Sequence, residues 1–319
     1  MRTIHIILIV LSVLELTWSQ EATGLKKSPM FNTVNPKTPE GLQTLLKYTG
    51  DALPLVSAHR GGAAKGWPEN CIATFEHTLQ YTYAMIEVDP RYTKDGAIVL
   101  HHDATLERTT NGKGRLADFT LAELRTLRLR DSAGHLTEYS IPTLDEALQW
   151  ARGRAILVLD QKSVPVEARV RKIEEHHAEA YVMLIVYSLK DAKRCHAMND
   201  RIMMEVMITD QAKFEAFDKC GVPWSHVVAF VGHSPPSDPG LCDMIHAQGT
   251  CCLAGTSRNI DRQYIERHVV DMRSLSPAYH GLREKGVDLI ETDIPREIGK
   301  LLYSGRPISS AKANFFTNH

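Results

Sequence analysis

Four short strings in this 319-residue chain hold the side chains best suited to chemistry: His59-Arg60-Gly61-Gly62, Glu87-Val88-Asp89, His101-His102-Asp103 and Asp160-Gln161-Lys162. Each closes an apolar run that reads as a β-strand. Side chains alternate faces along a strand, so Glu87 and Asp89 share one face, as do Asp160 and Lys162. Two carboxylates at i and i+2, joined by a third from the next barrel strand, repel one another unless a cation neutralises them. Oxygen-only ligation selects one hard divalent cation, Mg²⁺ or Ca²⁺. Histidine titrates near neutrality, so one imidazole can remove a proton while another gives one. The chain has 15 histidines, and most must be bystanders. His59 and His102 stand out at strand ends. Alternation lets only one of His101 and His102 face a site, and His102, beside Asp103, is the preferred one. Arg60 and Lys162 suit phosphate, one as a planar fork and the other as a point charge. Together these types point to phosphoester chemistry. No Walker loop, GxSxG elbow or GxGxxG is present, which leaves nucleoside triphosphatase, α/β-hydrolase and dinucleotide readings without support.

Such strings act together only if the fold gathers them. Apolar, β-branched runs occur at 53–57, 84–88, 155–160, 181–187, 202–207, 227–231, 250–254 and 287–290. Amphipathic stretches at 143–152, 166–177, 189–198, 211–219, 240–248 and 276–285 separate most of them. Eight such units predict an α/β fold, a closed (β/α)₈ TIM-type barrel with its active site at the C-terminal strand ends. A ninth run at 97–101 follows the tight Lys94-Asp95-Gly96 turn too closely for a parallel crossover. It reads as an excursion after the second strand, and 103–141 as a long insertion that serves as a lid or binding loop.

Composition excludes other classes. Hydrophobic residues at 43% and charged residues at 24% rule out disorder, collagen and a multispan membrane protein. Lys+Arg at 37 against Asp+Glu at 38 leaves no basic surplus for nucleic acid. Residues 1–19 have the layout of a cleaved signal peptide, which predicts a secreted or periplasmic protein without stable membrane insertion. A leader follows over 20–50 with a short helix near 40–47, then the barrel over 51–305 and a tail over 306–319. The six cysteines are too sparse for a disulfide scaffold. Bridges in the C-terminal half and buried free thiols both stay open. Cys251-Cys252 lacks the CxxC spacing or nearby Cys/His tetrad of a metal site.

His59-Arg60-Gly61, Pro68-Glu69-Asn70, Glu87-x-Asp89, Thr93-Lys94-Asp95-Gly96 and His102-Asp103 with Arg108-Thr109-Thr110 form an ordered block. With Gly286-Val287-Asp288-Leu289-Ile290-Glu291-Thr292-Asp293-x-Pro295, the string resembles the glycerophosphodiester phosphodiesterase family over about 53–303. The resemblance implies metal-dependent hydrolysis of a small-molecule glycerophosphodiester to glycerol 3-phosphate and an alcohol. It matches His59 and His102 to the acid/base pair, Glu87, Asp89 and Asp160 to the metal, and Arg60 and Lys162 to phosphate. Glu69 matches an acid near the site that holds Arg60 or lies beside the metal. Three positions depart from the pattern: Asp160 stands where the family usually has Glu, Gly255-Thr256-Ser257-Arg258-Asn259 replaces a Trp-Thr-x-Asn string, and Pro90 follows Asp89. Arg108-Thr109-Thr110 and Thr292-Asp293 read as structural. The alternatives are a sphingomyelinase D-like enzyme forming a cyclic phosphate and an inactive barrel that only binds.

Overall fold

The computed structural model describes residues 30–318 apart from 235, 237, 239, 268, 306, 307 and 310. The signal peptide expected over 1–19 therefore lies outside the described residues. Eight parallel strands close a barrel: Val56–Ala58 (β1), Ala84–Val88 (β2), Ile156–Leu159 (β3), Val182–Val186 (β4), Met203–Met207 (β5), Val227–Gly232 (β6), Cys252–Gly255 (β7) and Leu289–Thr292 (β8). They follow one another around the barrel in chain order, and β8 pairs with β1. Helices such as Leu144–Ala151 and Val166–Glu175 make the crossovers. The first of these starts at a capping box, in which Thr143 and Glu146 satisfy each other's backbone N–H groups.

Strand parity decides what points inward. Met85, Ile156, Val158, Met183, Ile185, Met203, Val228, Phe230, Leu253 and Leu289 pack together, each at most 6% exposed. The alternate residues, such as Ile86, Val88, Leu157 and Leu159, pack with the surrounding helices. Continuing the inward parity to the C-terminal ends gives His59, Glu87, Asp89, Asp160, Tyr187, Glu205, Glu291 and Asp293. The same alternation that fills the core therefore supplies the mouth.

Three strands start two or more residues later than the sequence predicts, β7 at Cys252 rather than 250 among them. Pro54 has no N–H to give to a ladder, and pairing with β2 begins at Val56 rather than 53. The last strand was expected over 287–290 and runs over Leu289–Thr292. Val287 N–H still caps the preceding helix through Leu282 O, at 3.1 Å. The shift carries Glu291 and Asp293 up to the mouth.

The excursion is a two-stranded antiparallel ribbon of Pro90–Tyr92 and Ile98–Leu100. Pro90 opens its strand, where a missing donor is tolerated. The insertion has its own small core of Leu106, Leu116, Leu124, Leu129 and Ile141. At the other end of the barrel Asn32–Val34 pairs with Phe316–Asn318, and helix Pro39–Leu46 packs Leu42, Leu45 and Leu46 against the barrel interior. Burying each of those leucines contributes about 1.5–3 kcal/mol. Among the described residues no helix is long and apolar enough to cross a membrane.

Candidate active site

The His59–Gly61 turn leaves β1 with Arg60 at φ 53 and Gly61 at φ 84. A Cβ on Gly61 would sit 2.3 Å from the Phe75 ring, so the turn requires glycine there. Glu87 Oε2 accepts the Arg60 backbone N–H at 2.7 Å, which locks turn and carboxylate together. Asn70, also left-handed, clamps Asp89: its Nδ2 donates to Asp89 Oδ2 at 2.6 Å, and its Oδ1 accepts the Asp89 N–H at 2.9 Å. The Pro68-Glu69-Asn70 string thus aims a buried acid.

Asp160 Oδ1 accepts the Tyr187 O–H at 2.6 Å and the Gln161 N–H at 2.7 Å. Lys162 Nζ bridges Asp160 and Asp89, 3.1 Å from Asp89 Oδ1. Arg169, fully buried, donates to Leu159 O and Ile185 O at the ends of β3 and β4. One oxygen from each of Glu87, Asp89 and Asp160 lies within 4.8 Å of the others. All three acids are at most 5% exposed.

Burial, then the Asp89 charge, raises the Glu87 carboxyl well above its usual range. Burial would raise Asp160 too, but the Lys162 charge and hydrogen bond hold it low. Asp89 Oδ1 is buried with the Lys162 ammonium, 3.1 Å away, as its ion-pair partner. Lys162 offsets part of this negative charge and is shared by two acids. A compact set of buried oxygen donors with charge left uncompensated fits a hard divalent cation.

A cavity of about 860 Å³ opens above these acids, large enough for a small organic phosphate. His59, Arg60, Glu87, His102, Asp160 and Lys162 line it, with Asp89 directly behind. His59 donates from Nδ1 to Asp293 Oδ1 at 2.6 Å. Burial works against its charge, but that bond and the charges of Glu87 and Glu291 push its pKa up to about 10. His102 Nδ1 meets Asp103 Oδ1 at 2.7 Å. Burial depresses its pKa, against the pull of Asp89 and Asp103. His101 is instead 2% exposed and uses both ring nitrogens internally, on Asp103 O and Thr109 Oγ1 at 2.9 Å each.

Glu69 binds guanidinium rather than joining the three clustered acids. It takes a two-point grip from Arg108 at 2.7 and 2.8 Å, and Arg60 lies 3.3 Å away. Arg108 also grips Asp103 at 2.6 and 2.9 Å, so a chain of charges runs from Arg60 to His102.

The profile of the glycerophosphoryl diester phosphodiesterase family matches residues 59–296. The chain belongs to this family, a family of phosphoric diester hydrolases. A glycerophosphodiester phosphodiesterase of Caldanaerobacter subterraneus subsp. tengcongensis is 38% identical over 151 residues, 44% of this chain and 62% of that protein. The chain thus spans less than two thirds of that relative's length. A crystal structure of a glycerophosphoryl diester phosphodiesterase from Parabacteroides distasonis superposes with TM-score 0.84 at 41% identity, covering 91% of this chain and all of the other. An Oleispira antarctica phosphodiesterase, solved with sn-glycerol-3-phosphate, shares the fold at TM-score 0.60 and 23% identity, covering 78% of this chain and 96% of its own. Family members generally use a divalent metal, and the acids of this chain are placed to hold one.

Against the family pattern, Ser257 and Arg258 line the cavity where the Trp-Thr-x-Asn string is missing. Two segments read as structural from sequence contribute to the site: Asp293 bonds His59, and Arg108 lines the cavity. Thr109 and Thr110 do support the backbone and His101. Asn70, Tyr187, Glu205 and Glu291 were missed as site residues. Only strand parity could have flagged the last three, and nothing local marks Asn70 as the clamp on Asp89.

Proposed function

We propose that this chain hydrolyses glycerophosphodiesters to glycerol 3-phosphate and an alcohol, with one Mg²⁺ or Ca²⁺ and His59 and His102 as the acid/base pair. The observation that carries this reading is the convergence of Glu87, Asp89 and Asp160 beneath a cavity lined by both imidazoles, Arg60 and Lys162. When bound by those three acids, the cation supplies charge neutralisation at a non-bridging phosphoryl oxygen. Arg60, braced by Glu69, and Lys162 hold the phosphate against the remaining negative charge. Water attacks phosphorus and the bond to the alcohol oxygen breaks. One histidine takes the water proton and the other supplies a proton to the departing alkoxide. Asp293 and Asp103 orient the two rings through Nδ1 and leave Nε2 of each for that exchange. The N-terminal sequence supports export, with cleavage near Ser19/Gln20, which the mass of the mature protein checks.

The test uses glycerophosphocholine and ³¹P NMR. Chelation should stop turnover, and added Mg²⁺ or Ca²⁺ should restore it with glycerol 3-phosphate as product. A cyclic phosphate would move the enzyme to the sphingomyelinase D type of chemistry. No turnover of any glycerophosphodiester with either ion would overturn the reading.

A further inference from the structure

A second group of metal-binding side chains lies at the opposite end of the barrel. His246 projects from helix Leu241–Ala247, Cys252 opens β7, and Asp288 stands immediately before β8. One donor atom from each lies within 4.8 Å of the others. Asp288 Oδ2 already meets His246 Nε2 at 2.8 Å and accepts the Cys252 N–H at 2.8 Å. Cys242 lies four residues before His246, on the same helix face. Both flank Gly286, where an added Cβ would sit 2.5 Å from Cys242 Cβ and 3.4 Å from both Cys242 Sγ and His246 Cε1. The Cys242 side chain lies beside the Cys252 thiol. Both are at most 1% exposed. Tyr48 stacks on the His246 ring at 3.5 Å and covers the group from the N-terminal side.

We propose that His246, Cys252 and Asp288, with Cys242 as the fourth donor, form a structural Zn²⁺ site. Mixed nitrogen, sulfur and oxygen donors favour zinc, whereas the oxygen-only set at the mouth favours a hard cation. Tetrahedral zinc bonds of about 2.0–2.3 Å place ligand atoms roughly 3.3–3.8 Å apart. On binding, His246, Cys252 and Asp288 must therefore draw in from within 4.8 Å of one another, and Cys242, outside that cluster, must turn toward them. Binding releases the two thiol protons to solvent and replaces the His246–Asp288 hydrogen bond, with no change in oxidation state. The ion would tie one helix to β7 and β8, next to the seam where β8 closes on β1. Sequence spacing shows no such tetrad beside Cys251-Cys252, because folding brings Asp288 in from the next strand.

Cobalt spectroscopy on the reduced, metal-stripped full chain tests the proposal. Co²⁺ should give a thiolate-to-cobalt charge-transfer band and tetrahedral d–d bands that saturate at one equivalent, and Zn²⁺ should abolish them. The bands should vanish in Cys252→Ser and His246→Gln but persist in Asp89→Asn, whose altered site holds only oxygen donors. If Cys252→Ser fails to fold, Cys242→Ser serves: it removes one of the two thiolates and must lower the charge-transfer intensity. Absence of the charge-transfer band in the wild-type chain, its persistence in His246→Gln, or a Cys242–Cys252 disulfide in peptide maps of the native protein would each overturn the proposal. Hydrolysis is not the readout, so the result stands apart from that of the glycerophosphocholine assay.

Discussion

Asp293→Asn is the sharpest perturbation of the proposed acid/base pair. The change keeps side-chain size and removes one charge. The Asp293 backbone N–H bond to Asp261 Oδ2, at 2.8 Å, does not involve the altered group, so the β8 exit should hold its shape. What is lost is a 2.6 Å charge-assisted hydrogen bond to His59 Nδ1. Bonds to charged partners contribute about 1.5–3 kcal/mol. The Asp293 carboxylate is 33% exposed, so solvent screening favours the lower end, about 1.5–2 kcal/mol. At about 1.4 kcal/mol per decade, kcat/KM should fall on the order of 10–30-fold. The pH profile is the second readout. Asp293 helps hold the His59 pKa up at about 10, so the limb of the profile belonging to His59 should move to lower pH whichever way that proton travels. Glycerophosphocholine hydrolysis at saturating Mg²⁺ or Ca²⁺ over a pH series measures both effects. Circular dichroism and Tm confirm that the variant is folded. A folded variant with wild-type kcat/KM and an unmoved profile would refute the positioning role.

The two neighbouring histidines should separate cleanly. His102→Ala should lose about 10²–10⁴-fold in kcat with Tm nearly unchanged, while His101→Ala leaves the Thr109 hydroxyl without its partner and should lower stability by about 1–3 kcal/mol; the opposite pattern in kinetics and melting would contradict the geometry. Asp160→Glu pushes the carboxylate about 1.5 Å further into Lys162 and Tyr187, so the half-saturating concentration of the activating cation should change, and an identical metal titration would show the shorter acid to be immaterial. His77, stacked on Trp67 at 4.1 Å, has its pKa lowered to about 4 by burial and then by Arg296. The unfolded chain therefore binds the extra proton between about pH 6.5 and 4, and stability should fall as pH drops through that window. A His77→Gln variant should flatten that part of the Tm-against-pH curve, and an unchanged slope would remove His77 as the cause.

The sequence by itself determined the barrel and much of its mouth, because both follow from local periodicity. Alternation of two along each strand makes Met85, Glu87 and Asp89 share a face, with core at one end and chemistry at the other. Eight apolar runs separated by helical stretches leave few other ways to bury both faces of a parallel sheet. Tertiary structure alone decided the partners that aim those side chains. Asn70 reaches Asp89, and Arg108 reaches Glu69, across insertions and turns whose approach no spacing rule encodes. The two-residue offset of β8 was set by a helix cap and by ring closure, and it delivers Asp293 to His59 across 234 residues of chain. Parallel pairing of β8 with β7 likewise brings Asp288 to Cys252 and His246. A strand's face is a local property of its pleat; which distant atom it meets depends on the register of every strand between them.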